Sequence, residues 1–149
     1  MRLIFTLLLL LGLFVFFRPA HAQGNPGLSS VLVKIWPEYD KPGVLVIYNI
    51  RVSPQTSLPA KMTFRIPAAA VKPHTVAVGN TPTDVSDQNV NYTLEDNGEW
   101  INVIIEVTAP AIPLEYYDPA LSINVSKRAF NYLWPGDYAV ADFSVELQQ

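Results

Sequence analysis

The chain has 149 residues, half of them hydrophobic, with 13 Pro, 7 Gly and no Cys. Beyond position 22 it carries 8 Lys and Arg against 13 Asp and Glu, a formal charge of −5, which excludes the basic footprint of a nucleic-acid-binding protein. The length corresponds to one domain, and the composition excludes a disulfide scaffold and a disordered chain.

Residues 1–22 have the layout of a secretory signal peptide. Arg2 supplies a positive charge, Leu3–Phe17 is an apolar run of 15 residues, and residues 20–22 (Ala-His-Ala) match an A-x-A cleavage site. A helix needs about 20 apolar residues to span a bilayer. We therefore predict cleavage after Ala22, export to the periplasm or the exterior, and no membrane span in the mature protein. The alternative is a protein tethered by an uncleaved N-terminal segment.

Residues 23–28 are predicted to be a flexible stretch, and residues 29–149 a single β domain. Segments of period-two alternation follow one another between Pro, Gly, Asn and Asp, and none has helical periodicity. The predicted strands are Val31–Trp36, Val44–Val52, Ala60–Ile66, Thr75–Val78, Val90–Leu94, Trp100–Thr108, Leu114–Tyr117, Arg128–Trp134 and Tyr138–Leu147. This pattern predicts an all-β fold, a single antiparallel β-sandwich of about seven to nine strands. A barrel is the alternative.

Two strand assignments carry positional information. Val44–Val52 is apolar on both faces in its first half, which is typical of a strand in the middle of a sheet. Pro110 and Pro113 interrupt the chain before Leu114–Tyr117. Because Pro cannot donate to a central ladder, this segment is predicted to be a short or edge strand that is open to a partner.

Two local sequence signals predict how strands turn and bend. The pair Asn97-Gly98 readily takes the positive φ angles of a type I′ turn, so a hairpin is predicted there. In the last strand the apolar alternation changes parity at Ala141-Asp142, which suggests a β-bulge.

Residues 133–140, Leu-Trp-Pro-Gly-Asp-Tyr-Ala-Val, resemble the corner of fibronectin type III and carboxypeptidase-regulatory-type sandwiches, in which an L-x-P-G turn precedes a Tyr-x-Val strand. Together with residues 35–40, 63–67 and 114–119, the chain is similar to uncharacterised exported bacterial immunoglobulin-like domains. The resemblance implies that Pro135, Gly136 and Tyr138 form a structural corner, with the Tyr138 hydroxyl bonding backbone upstream. It implies no known activity.

Catalytic constellations are sparse. The mature part has a single His, His74, no Gly-x-Ser-x-Gly elbow and no Gly-rich phosphate loop. The remaining route to catalysis is a glycosidase-like pair of carboxylates, since four acidic residues lie beside aromatic residues. These are Glu38, Asp40, Glu115 and Asp118. Sequence proximity to aromatic residues is their only support, so we predict no catalytic residues and no enzyme.

No cofactor and no metal site are predicted, because one His and no Cys cannot build a zinc site with three such ligands. Residues 84–89 cluster Asp, Ser, Gln and Asn oxygens in a loop without EF-hand spacing. The sequence leaves open whether calcium binds there.

Aromatic residues next to Pro or Asp at strand ends are the most suggestive binding candidates, since exposed rings stack on sugars or anchor protein partners. We select Trp36, Tyr39, Tyr117 and Trp134. The predicted function is an exported, non-enzymatic interaction or structural module of the bacterial envelope or exterior, which binds a protein partner through loops or a sheet edge. The alternative is a carbohydrate-binding module that recognises an envelope polysaccharide. The oligomeric state stays open.

Overall fold

The computed structural model describes residues 26–148. The predicted signal peptide, residues 23–25 of the predicted flexible stretch and Gln149 lie outside the described residues. Within residues 26–148 the fold is all-β, with twelve strands, one 3-10 turn at Ala68–Ala70 and no α-helix. No helix in this part of the chain is both long and apolar enough to cross a bilayer. Leu28, which the sequence assigned to the flexible stretch, begins the first strand and is buried.

Seven strands form the larger sheet, whose order is β12-β1-β2-β9-β5-β6, with β4 also paired to β9. Their bounds are β1 (Leu28–Pro37), β2 (Val44–Val52), β4 (Thr75–Val76), β5 (Val78–Thr81), β6 (Asp84–Ser86), β9 (Ala111–Asp118) and β12 (Val140–Leu147).

Three strands form a second sheet in the order β3-β8-β7, and two form a separate hairpin, β10-β11. Their bounds are β3 (Ala60–Pro67), β7 (Tyr92–Asn97), β8 (Trp100–Val107), β10 (Ser122–Asn124) and β11 (Lys127–Ala129). Alternate residues of β1, β2 and β9 share one apolar core with alternate residues of β3 and β8, so the fold is sandwich-like. Twelve strands replace the nine predicted segments because Thr75–Val78 is divided between β4 and β5, and because the short strands β6 and β10 lie where no strand was predicted.

The central position of β2 is confirmed, since it lies between β1 and β9. Both faces of its first half are buried, with Val44 and Val46 in the core and Leu45 only 4% exposed on the opposite face. A strand covered on both faces gains from apolar residues at successive positions, which explains the sequence pattern.

The predicted edge position of Leu114–Tyr117 is wrong. β9 pairs with β2 along its whole length and with β4 and β5 on its other side. Pro113 is tolerated because the neighbouring strand is interrupted there. Its carbonyl accepts a hydrogen bond from Ala77, the residue between β4 and β5, and no ladder donor is required of it.

The predicted hairpin at Asn97-Gly98 is confirmed, but its turn sits one residue later. Asn97 pairs with Trp100, so the two loop residues are Gly98 and Glu99. Only Gly98 has a positive φ, 72°. A positive φ at the first loop position alone is the pattern of a type II′ turn, and not of type I′.

The last strand runs parallel to the first, so the larger sheet is not purely antiparallel as predicted. Val140 pairs with Leu28 and Phe143 with Val31, in one constant register. The parity change that the sequence shows at Ala141-Asp142 therefore lies beside the point where β1 shifts its register against β2. β1 and β12 therefore depart from regular alternation at the same position along the sheet.

Residues 130–138, which we call the strap, link β11 to β12 without joining a ladder, and they cover the edge of β3. The Tyr138 hydroxyl accepts a hydrogen bond from the Thr63 backbone N–H at 2.8 Å. Arg65, also on β3, forms an ion pair with Asp137 at 2.6 Å. An unpaired strand edge is thereby closed by side chains.

The turn within the strap uses Pro135 and Gly136, the latter at φ 70°. Arg65 also donates to the Pro135 carbonyl at 2.8 Å. The prediction of a strand from Arg128 to Trp134 is wrong beyond Ala129, since the chain there packs its aromatic residues on the core without backbone pairing. The Tyr138 hydroxyl reaches backbone 75 residues upstream and not a few residues away.

Candidate functional site

Three of the four predicted binding residues lie together on the outer face of the larger sheet. Trp36 on β1 and Tyr117 on β9 are both in register with Leu45 on β2, which lies between them. Tyr39, in the β1–β2 turn, packs against Trp36 with ring centroids 5.0 Å apart and is 56% exposed. Trp134 belongs elsewhere. It packs on the opposite side, against the core.

Polar groups cover much of this outer aromatic cluster. The Tyr117 hydroxyl donates to Asp40 Oδ1 at 2.7 Å, and the Lys41 ammonium lies 3.4 Å from the centre of its ring. The His74 ring packs against the same ring in a T-shaped arrangement, with ring centroids 5.2 Å apart. Tyr117 is therefore engaged within the protein, and Tyr39 is the exposed ring of the cluster.

The hydrogen bond to Asp40 raises the pKa of Tyr117 to about 12, because ionised Asp40 favours the neutral phenol. In the unfolded chain a tyrosine titrates near pH 10, so this contact contributes stability that is complete below about pH 10 and is lost as the pH rises through about 12. We expect Asp40→Asn to bring the Tyr117 pKa closer to 10. Ring carbon shifts of Tyr117, followed by NMR between pH 8 and 13, measure this. An unchanged titration in the variant would exclude Asp40 as the cause.

Three of the four candidate carboxylates are held by contacts within the protein. Glu38 pairs with Arg128 at 2.6 Å, and Asp40 accepts from Tyr117. Asp118 is buried and accepts a hydrogen bond from the Ala120 backbone N–H, whereas Glu115 stands on the outer face between β2 and β4. Each of the first three thus has a structural partner.

Three tyrosine hydroxyls meet in the core. Tyr48 and Tyr116 lie 3.1 Å apart between their hydroxyl oxygens, and burial raises the pKa values of both. Burial also raises the pKa of Tyr132, on the strap, whose buried hydroxyl has no hydrogen-bond partner among the described residues. These groups stay neutral at physiological pH and pack as part of the core.

Residues 84–89, for which the sequence left calcium binding open, are partly a strand. Asp84, Val85 and Ser86 form β6 and pair with β5, so only residues 87–89 are a loop. Among residues 26–148, no three His, Cys, Asp or Glu side chains are grouped as metal ligands.

The free edge of β12 is the second candidate site. Phe143, Val145 and Leu147 pair with the buried residues Val31, Val33 and Ile35 of β1 and point to the same core-facing side. They are nevertheless 42%, 51% and 59% exposed. The larger sheet thus extends beyond the three-stranded sheet that covers it. We call these three side chains the apolar row.

The backbone of the apolar row also faces outward. Gln148 donates its N–H to the Ile35 carbonyl, and N–H groups alternate in direction along a strand. The N–H and C=O groups of Phe143, Val145 and Leu147 therefore point away from β1. Within the described chain no strand pairs with this edge.

The other edges are protected in three ways. The strap closes β3, and β6 is only three residues long. β7 exposes Tyr92 and Leu94 in its first half, but Glu95 and Asp96 follow them and place charges on the edge. Among the strand edges of residues 26–148, β12 is thus the longest open one, with eight residues and uncharged inward side chains.

The sequence did not indicate a site at the apolar row, because its apolar alternation is typical of an ordinary buried strand face. Trp134 was selected because it lies next to Pro at a predicted strand end, but it packs against Tyr48 in an edge-to-face arrangement with ring centroids 5.2 Å apart. It also contacts Phe143 at 5.3 Å, so it supports one end of the apolar row from within.

Comparisons of the chain with protein-family models, curated proteins and solved structures find no match.

Proposed function

We propose that this protein is an exported, non-enzymatic interaction module of the bacterial cell envelope or exterior, an immunoglobulin-like sandwich that binds a protein partner by strand addition at the edge of β12. The observation that carries the proposal is the apolar row, whose side chains are about half exposed and whose outward backbone groups pair with no strand among residues 26–148. Export is supported by the layout of residues 1–22.

Strand addition gives a partner both to the outward backbone groups and to the exposed side chains of the apolar row. A segment laid along β12 pairs its backbone with the outward groups of Phe143, Val145 and Leu147 and adds its alternate side chains to the uncovered face. Each hydrogen bond contributes about 0.5–1.5 kcal/mol net, and apolar burial about 25 cal/mol per Å². These gains offset the entropy of ordering a short segment.

The test uses a soluble, end-capped seven-residue peptide in which valine alternates with serine, titrated into the mature protein and followed by amide NMR shifts. We expect the shifts to map to β12. Val145→Lys is expected to weaken binding at least about tenfold, because an inward-facing charge opposes strand pairing at an edge. Its effect on stability is expected to stay within about 0.5 kcal/mol, since the site is half exposed.

Val125→Lys is the matched control, because it adds the same charge at a residue that is 96% exposed between β10 and β11. It is expected to leave binding unchanged. Peptide shifts that map away from β12, or binding that Val145→Lys does not weaken, would refute strand addition at this edge.

A second candidate function is carbohydrate binding at the outer aromatic cluster, favoured by the exposed Tyr39 ring against Trp36. Aromatic faces stack on sugar rings. Under this hypothesis, envelope polysaccharide fragments change the Trp fluorescence of the protein but not that of Tyr39→Ala.

A further inference from the structure

The face of β12 opposite the apolar row is acidic. Asp142, Ser144 and Glu146 are all exposed there, and they pair across to Ser30, Leu32 and Lys34 on β1. Lys34 is the only base among these three, and its ammonium lies 4.0 Å from Glu146 in a loose, solvent-exposed contact. Asp142 faces no base on β1. A strand that joins the edge therefore meets two carboxylates in addition to the apolar row.

These charges oppose one register in which β12 could pair with a second copy of itself. An antiparallel pair centred on Ser144 sets Asp142 of each copy directly opposite Glu146 of the other. Like charges directly opposite each other in a ladder are destabilising. The same geometry favours a strand of opposite charge.

We propose that the partner of β12 is an extended segment of another protein in which apolar residues alternate with Lys or Arg. Its apolar residues cover Phe143, Val145 and Leu147, and its basic residues lie beside Asp142 and Glu146. This inference rests on the proposed function, and it adds the chemistry of the occupant. The formal charge of −5 beyond position 22 favours the same partner at longer range.

The experiment compares three end-capped seven-residue peptides in which valine alternates with lysine, serine or glutamate. We expect the lysine peptide to bind about 2- to 30-fold more tightly than the serine peptide at low salt, from two cross-strand charge pairs, and the glutamate peptide to bind most weakly. The advantage of lysine is expected to shrink in 0.5 M salt. A lysine peptide of scrambled order, without alternation, is expected to bind more weakly than the alternating one.

The decisive variant is Asp142→Asn combined with Glu146→Gln, which is expected to abolish the advantage of the lysine peptide. Glu95→Gln combined with Asp96→Asn is the matched control, because it removes two exposed acidic charges from β7. The control is expected to keep the advantage. If the β12 variant keeps it as well, the attraction comes from overall charge and the inference is overturned.

Two further outcomes separate this inference from the proposed function. If lysine and serine peptides bind β12 equally well, strand addition stands and the basic partner is excluded. If no peptide binds, both proposals fail. Sedimentation that shows a dimer of the mature protein, dissociated by Val145→Lys, would make a second copy the occupant and overturn the inference.

Discussion

Gly79→Ala is expected to lower the free energy of unfolding by about 3 kcal/mol. A Cβ at this position would overlap the Asp84 carbonyl oxygen and lie 2.6 Å from the Val85 Cα. Both are backbone atoms of β6, which cannot rotate away as the end of a side chain can. Gly79 also pairs with Ala111 of β9, so a shift of β5 would disturb its attachment to the larger sheet.

Gly27→Ala is the matched control. A Cβ there would meet its nearest neighbours at 3.8 Å, an ordinary contact, and no positive φ is involved. Its effect is expected to stay within about 1 kcal/mol, with a small gain from the lower entropy of the unfolded chain. Chemical denaturation of both variants measures the difference. Equal stability of the two would show that β5 and β6 are not packed as closely as described.

Ser144→Pro is expected to cost at least about 2 kcal/mol more than Val145→Pro. The alternation fixed by the Gln148 to Ile35 hydrogen bond directs the Ser144 N–H toward β1 and the Val145 N–H toward solvent. Proline at position 144 therefore removes a ladder hydrogen bond and places its ring between two strands. At position 145 it replaces an N–H that faces no other strand of the described chain.

Thermal or chemical unfolding of the two proline variants gives the comparison, and peptide binding gives a second readout. Val145→Pro is expected to fold and yet to bind the alternating peptide weakly, since it removes an outward donor. If Val145→Pro destabilises the protein as much as Ser144→Pro, the outward direction of the Val145 N–H is wrong.

Sequence periodicity predicted most strands of the two sheets, because alternation depends only on which residues face the core. It placed β2 in the centre and located the β7–β8 hairpin. It misplaced β9, since the rule against Pro in central strands has an exception where the neighbouring strand is interrupted. That interruption, between β4 and β5, is a matter of tertiary structure.

The candidate sites were harder to predict for a similar reason. Trp36, Tyr39 and Tyr117 were chosen by type and setting, and sheet pairing brings them together. The apolar row has the same alternation as a buried strand, and only the width of the covering sheet leaves it exposed. No local pattern in Val140–Leu147 indicates how much of the larger sheet is covered by the sheet that contains β3. Sequence alone therefore could not identify this edge.

The strap explains why one edge stays open while another is closed. The strap ends at Tyr138, whose hydroxyl accepts a hydrogen bond from the backbone N–H of Thr63 at the edge of β3. β12 begins two residues later. The chain thus protects the edge of the smaller sheet and then adds a new edge to the larger one. We propose that the exposed edge of β12 binds a partner.

Residue-resolved amide hydrogen exchange of β12, measured with and without the alternating valine–lysine peptide, tests the account most directly. In the free protein we expect protected N–H groups at Ser144 and Glu146 and fast exchange at Phe143, Val145 and Leu147. Saturating peptide is expected to slow exchange at those three residues. Fast exchange that persists at saturation, or protection of the three residues already in the free monomer, would contradict the claim that β12 is an open edge for strand addition.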